Sequence, residues 1–185
     1  MERTNASDKL PLGSSLPTFA LKNVDGELIG ADYLGGGKAA LVVFTCNHCP
    51  YVKGTEEMLA QIARKYAPLG LRTVTINSND PVAYPDDSFE KMQAKSVALK
   101  LPYPYLWDES QAVARAFDAA CTPECYLFDS HLKLAFHGAI TDVPKDPSKP
   151  RADHLSPAIE AVLHGQEPTA KFVHPLGCSI KWKAA

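Results

Sequence analysis

The chain has 185 residues, 45% of them hydrophobic and 22% charged, with a formal net charge of −2. That length is enough for one domain with a full core, and the near-neutral balance leaves no basic footprint for nucleic acid or an anionic membrane. No stretch approaches the ~20 apolar residues of a membrane helix, and the polar run Met1 to Leu16 lacks the apolar centre of a signal peptide, so a cytoplasmic protein is expected.

Residues 1–16 read as an irregular arm. Pro17 to Leu21 reads as a short edge strand, with a turn at Val24-Asp25-Gly26-Glu27 leading to Leu28-Ile29. The loop Gly35-Gly36-Gly37-Lys38 precedes a strand instead of following one, so it does not match a phosphate loop. Ala39 to Thr45 is a short apolar run rich in Val and Leu, the pattern of a strand buried on both faces. It runs directly into Cys46-Asn47-His48-Cys49-Pro50, after which Val52, Leu59, Ile62 and Tyr66 fall on one face of a predicted helix that Gly70 closes.

Leu71 to Asn77 reads as the next strand, which implies a parallel crossover. Asp87 is a predicted helix cap with Glu90 in the reciprocal place, and Phe89, Met92, Ser96 and Val97 form the inner face of that helix. Pro102 and Pro104 stop it, Tyr103 to Trp107 is extended, and Asp108 with Gln111 opens a helix that turns Val113, Ala116 and Phe117 inward. Cys121-Thr122-Pro123 leads into a strand over Glu124 to Asp129, and a turn joins it to a half-buried strand marked by Leu132, Leu134 and Phe136. A Pro- and Lys-rich loop, Thr141 to Arg151, precedes a helix that starts at Ser156-Pro157 and ends at Gly165. The order of elements, with Cys-x-x-Cys at the first strand–helix junction, predicts an α/β thioredoxin-like fold: a central mixed β-sheet flanked by helices over residues 17–165. Residues 166–185 form a tail expected to pack back on it, because Ile180 and Trp182 give it something to bury.

The chemistry concentrates in the cysteines. Five is an odd number, which argues for redox-active or unbridged thiols over a disulfide framework. A helix start carries unpaired N–H groups and partial positive charge, which favour a thiolate, and two cysteines three apart can bond. Cys46, at the end of the strand, is expected to be the more exposed, attacking thiol and Cys49 the resolving one. His48, if its ring turns that way, is a cation beside the Cys46 thiolate. Pro50 in place of His excludes a c-type haem site. Cys121 and Cys125, ~13 Å apart if extended, cannot bridge each other. Cys121 is a candidate to meet the dithiol, and Cys125 reads as a strand hydrophobe. A zinc site of Cys46, Cys49, Cys121 and Cys125 requires the two pairs to converge. Cys178, in a block with Gly177, Ile180 and Trp182, is a candidate third redox thiol. Thr122-Pro123, placed just before a strand, suits a tight turn with a cis bond.

Four blocks carry a family resemblance: Phe44-Thr45-Cys46-Asn47-His48-Cys49-Pro50-Tyr51-Val52-Lys53, Ile76-Asn77-Ser78-Asn79-Asp80, Cys121-Thr122-Pro123-Glu124, and Gly177-Cys178-Ser179-Ile180-Lys181-Trp182. In these the chain resembles the thioredoxin-like proteins labelled peroxiredoxin-like, in the redoxin branch related to AhpC/TSA. The resemblance implies a thioredoxin core in which a cis Pro123 faces the dithiol and Thr122 stands beside it. The peroxidatic motif Pro-x-x-x-Thr/Ser-x-x-Cys is absent whether counted from Cys46 or Cys49. The expected activity is therefore thiol–disulfide exchange through Cys46 and Cys49, without a cofactor, on protein or small-molecule disulfides and with a thioredoxin- or glutathione-type reducing system. A thiol peroxidase and a zinc- or copper-binding protein are the alternatives.

Overall fold

The computed structural model describes residues 10–142, 144–146, 149 and 152–184. Residues 1–9 of the expected arm, five residues of the Pro- and Lys-rich loop (143, 147, 148, 150 and 151) and residue 185 lie outside that description. In chain order the elements are β1 (Ala20–Asn23), β2 (Leu28–Gly30), β3 (Ala39–Thr45), α1 (Pro50–Lys53), α2 (Glu56–Tyr66), β4 (Leu71–Asn77), α3 (Phe89–Leu99), β5 (Tyr105–Trp107), α4 (Ala112–Phe117), β6 (Cys121–Thr122), β7 (Glu124–Phe128), β8 (Leu134–Gly138), α5 (Leu155–Leu163), β9 (Phe172–Val173) and β10 (Cys178–Ser179). Eight strands form one mixed sheet in the order β2-β1-β5-β4-β3-β7-β8-β9, and β6 pairs separately with β10. This is the thioredoxin-like α/β arrangement that the order of elements predicts.

β3 is central, parallel to β4 and antiparallel to β7, and all seven of its residues are buried. Successive side chains of a strand point to opposite faces. Ala39, Leu41 and Val43 therefore pack with Leu59, Ile62 and Tyr66 of α2 and with Ile159 and Val162 of α5. Ala40, Val42 and Phe44 pack with Val113, Ala114 and Phe117 of α4 and with Tyr126. Helices on both faces are the reason this strand reads as an unbroken apolar run. Phe44, Phe117 and Tyr126 meet edge to face, with centroids 5.3, 5.8 and 5.2 Å apart, and each such pair adds about 1 kcal/mol beyond burial.

Several local expectations change. The single helix after the Cys-x-x-Cys is two pieces, because α1 ends after four residues and Gly54 follows where a Cβ would collide with the carbonyl of Pro144. The first strand begins at Ala20 and forms a hairpin with β2. The cap of α3 is Ser88, whose Oγ accepts from the Lys91 N–H, because Asp87 sits in a short turn that points its carboxylate inward. On α3 Met92 is fully buried but Val97 is 78% exposed, and on α4 Ala114, not Ala116, turns inward. Asp108 does cap α4, accepting from Val113 and Ala114, while Gln111 reaches away to the carbonyls of Ser78 and Lys181.

Candidate functional site

The parallel register sets Thr45, the last residue of β3, against Asn77, the last of β4. The polar segment from Asn77 to Asp80 therefore lies next to the turn that carries the two thiols. Cys46 and Cys49 are both fully buried and pack with Val52. The greater exposure expected of Cys46 is not found, since the chain before Pro123 lies over the pair. The Thr122–Pro123 peptide is cis. Thr122 Oγ1 is 3.4 Å from the Cys46 sulfur, and the Cys49 thiol donates to the Thr122 carbonyl at 3.3 Å.

The turn itself is held by polar groups, among them Asp87, which the sequence assigned to a helix cap. The Asn47 N–H donates to Asp87 Oδ1 at 2.6 Å, its side-chain amide donates to the Asp86 carbonyl at 2.8 Å, and its Oδ1 accepts from the Tyr105 hydroxyl at 2.8 Å. Asp87 Oδ2 also takes the Asn79 amide at 2.8 Å and lies 2.5 Å from His48 Nδ1. The His48 ring stacks on Tyr84 at 5.2 Å. Lys95 donates to the Cys46 carbonyl at 2.8 Å while paired with Glu56. The signal for Asn79 was a polar run straight after a buried strand, which is unusual because buried polar groups need partners, while Asp87 and Tyr105 reach the turn from separate segments.

His48 thus faces Asp87, and ligand atoms of both lie within 4.8 Å of the Cys46 sulfur. Donation of the Cys46 S–H towards Cys49, burial and the Asp87 charge push the Cys46 thiol well above its ordinary range. Cys49 is held down at about 4, chiefly by the Cys46 S–H, against the cost of burial, with help from the Cys178 thiol and the N–H groups of Val52 and Cys178. The two thiols titrate as a pair, Cys46 pushed up and Cys49 held down.

The remaining cysteines separate cleanly. β10 runs antiparallel to β6, with Cys178 opposite Thr122 and Ser179 opposite Cys121. Opposed residues share a face, so Cys178 joins Thr122 on the dithiol side and Cys121 points the other way. Cys178 packs against the Cys46–Cys49–Val52 cluster, and Cys125 lies in the core with Leu41 and Val43, its thiol pushed up by burial. The four cysteines of the zinc alternative are therefore not brought together. Ligand atoms of Cys46, His48 and Asp87 do lie within 4.8 Å of one another, but both Asp87 oxygens already hold Asn47, Asn79 and His48.

Residues 12–137 match the model of the AhpC/TSA family. The chain belongs to that family. No curated protein matches this AhpC/TSA member. Two solved structures are similar over nearly its whole length: an uncharacterized conserved protein from Geobacillus kaustophilus and a hypothetical protein from Sinorhizobium meliloti 1021. The first is 41% identical over 97% of this chain and 96% of that chain, with a TM-score of 0.91. The second is 38% identical over 96% of this chain and 97% of that one, also with a TM-score of 0.91. A thioredoxin-family thiol:disulfide interchange protein from Chlorobium tepidum TLS shares the fold, at 20% identity over 68% of this chain and 84% of that one, with a TM-score of 0.58.

Proposed function

We propose that the protein is a thiol–disulfide oxidoreductase whose Cys46 and Cys49 cycle between dithiol and disulfide. The observation that carries this reading is the buried Cys46–Cys49 pair at the strand–helix junction, its sulfurs 3.4 and 3.3 Å from Thr122 Oγ1 and the Thr122 carbonyl oxygen beside a cis Pro123, with the Cys49 thiol shifted down. A structural thiol pair has no use for a stabilised thiolate; an exchanging one does, because the thiolate is the species that reacts. On oxidation the two sulfurs bond, Cys46 gives up its proton, and two electrons pass to a substrate disulfide. With one further proton from water, that substrate becomes two thiols. Thr122 and Pro123 position the pair, and His48 acts through Asp87.

The absence of the Pro-x-x-x-Thr/Ser-x-x-Cys motif before either cysteine favours disulfide over peroxide as the substrate. Among the described residues no helix is long and apolar enough to cross a membrane. A cytoplasmic setting and a thioredoxin- or glutathione-type electron donor complete the reading.

The test is turnover of a protein disulfide with a low-mass thiol as reductant, beside equilibration against glutathione. We expect a reversible Cys46–Cys49 bridge and loss of turnover in both Cys46→Ser and Cys49→Ser. Turnover of peroxide alone would replace this reading by a thiol peroxidase, and stoichiometric zinc or copper without exchange would replace it by metal binding.

A further inference from the structure

We propose that the C-terminal tail presents Cys178 to the dithiol as a built-in exchange partner, so that electrons pass between the buried pair and external thiols through a Cys49–Cys178 disulfide. This rests on the oxidoreductase reading and says how that site reaches solvent. Both dithiol sulfurs are fully buried, whereas Cys178 is partly exposed and packs against them. It stands on β10 opposite Thr122, whose carbonyl accepts from the Cys49 thiol at 3.3 Å.

The placement is built from both sides. A Cβ on Gly177 would collide with the Thr122 carbonyl, so only glycine lets the tail approach this closely. Beyond Cys178, the Ile180 N–H donates to Ala120 O at 3.0 Å and its side chain is buried. The Lys181 N–H donates to Asn79 Oδ1 at 2.8 Å, and its carbonyl accepts from Asp80 at 2.8 Å and from the Gln111 amide at 2.9 Å. The result is strand addition, with the chain's own cysteine set where the dithiol can exchange with it.

The step balances within the chain. With Cys46 bonded to Cys49, the charge on Cys49 that helps burial push the Cys178 thiol up to about 12 is gone. The Cys178 thiolate attacks Cys49. The Cys49–Cys178 bond forms as the Cys46–Cys49 bond breaks, and the electron pair leaves on Cys46, which takes a proton. An external thiol, small-molecule or protein, then attacks the exposed Cys178 sulfur. Cys49 leaves as the thiolate, because the attack falls on the Cys178 sulfur. A second external thiol frees Cys178 and departs as a disulfide with the first.

The test is non-reducing peptide mapping and stopped-flow exchange with glutathione on the full chain and its Cys46→Ser, Cys178→Ser and Gly177→Ala variants. We expect oxidised Cys46→Ser to yield the Cys49–Cys178 bridge. Cys178→Ser should still form the Cys46–Cys49 bridge but exchange it about tenfold more slowly or worse, and Gly177→Ala should slow exchange as well. Glutathione on Cys49 without a Cys49–Cys178 bridge, together with an unchanged rate in Cys178→Ser, would overturn the relay and leave the oxidoreductase standing. Faster exchange in Gly177→Ala would show that the tail is a cover, which also overturns it. A wild-type chain with no reversible bridge would remove both readings together.

Discussion

Asp87 Oδ2 lies 2.5 Å from His48 Nδ1, and the same fully buried carboxylate takes the Asn47 N–H and the Asn79 amide. It locks the turn that carries the two thiols and sets a negative charge against Cys46. Removing that charge while keeping its shape, Asp87→Asn, should lower the Cys46 titration midpoint in a Cys49→Ser background. His48→Ala, which leaves the carboxylate without its ring partner, should raise it. Ultraviolet thiolate absorbance reads both, and two unchanged curves would show that Cys46 does not feel this carboxylate.

With Cys49 held at about 4 and Cys46 pushed up, the reduced pair is expected to hold one proton over a wide range. Two-electron reduction then takes up one proton, so the midpoint potential should fall by about 30 mV per pH unit above pH 4, against about 59 for two protons. The same lowering makes the reduced fold gain stability as pH rises from about 4 to the ordinary thiol value of 9.0, because the unfolded chain binds the extra proton in that window. The Cys49 contribution is lost as pH falls through 4. A two-proton slope at pH 7 would place a thiol, not a thiolate, at Cys49.

Glu124 is fully buried one residue after Pro123. It accepts from the N–H groups of Ala120 at 2.8 Å and Cys121 at 3.1 Å, from the Tyr126 hydroxyl at 3.0 Å, and meets His137 Nε2 at 2.6 Å. Glu124→Ala leaves all of these partners without an acceptor and should cost about 3–5 kcal/mol in urea unfolding. Glu124→Gln, which still accepts at one oxygen, should cost about 1–3 kcal/mol. Equal losses would mean that volume, not the acceptor, matters there.

Gly138 has a φ of 144°, and a Cβ there would collide with the backbone of Val173 on β9. Gly138→Ala should detach β9 from β8 at a cost of about 1–3 kcal/mol. Hydrogen exchange should then quicken at Ala139, whose N–H donates to the Val173 carbonyl at 3.0 Å. Unchanged protection at that amide would show that the edge can shift without opening.

β3 and the helix face of Leu59, Ile62 and Tyr66 were legible in the sequence, because burial on two sides and a steady period leave few other readings. Asp87 was not: a local capping rule claimed it, and the tertiary demand of the turn at Asn47 and His48 outweighed that rule while Ser88 supplied the cap. Val97 shows the limit of periodicity, which cannot tell a covered apolar face from an open one. Ile180 is buried as its tail position suggested, while Trp182 stays 40% exposed beneath Arg115, and which cysteine the tail would bring to the dithiol depended on the register of β10 against β6. That register sorts Cys178 from Cys121 by a single residue. The shielding of Cys46 depended on the same long-range contact.

β10 and β6 belong to one covalent chain, so β6 meets its partner strand at an effective concentration on the order of millimolar, whatever the dilution of the protein. An extended peptide that sought this edge would have to outbind that tether, while a small thiol, which needs only the sulfur of Cys178, would not compete with it at all. On the proposed relay, a thiol of either size reaches Cys178 with β10 in place, whereas a chain that pairs with β6 must first displace a strand that cannot diffuse away.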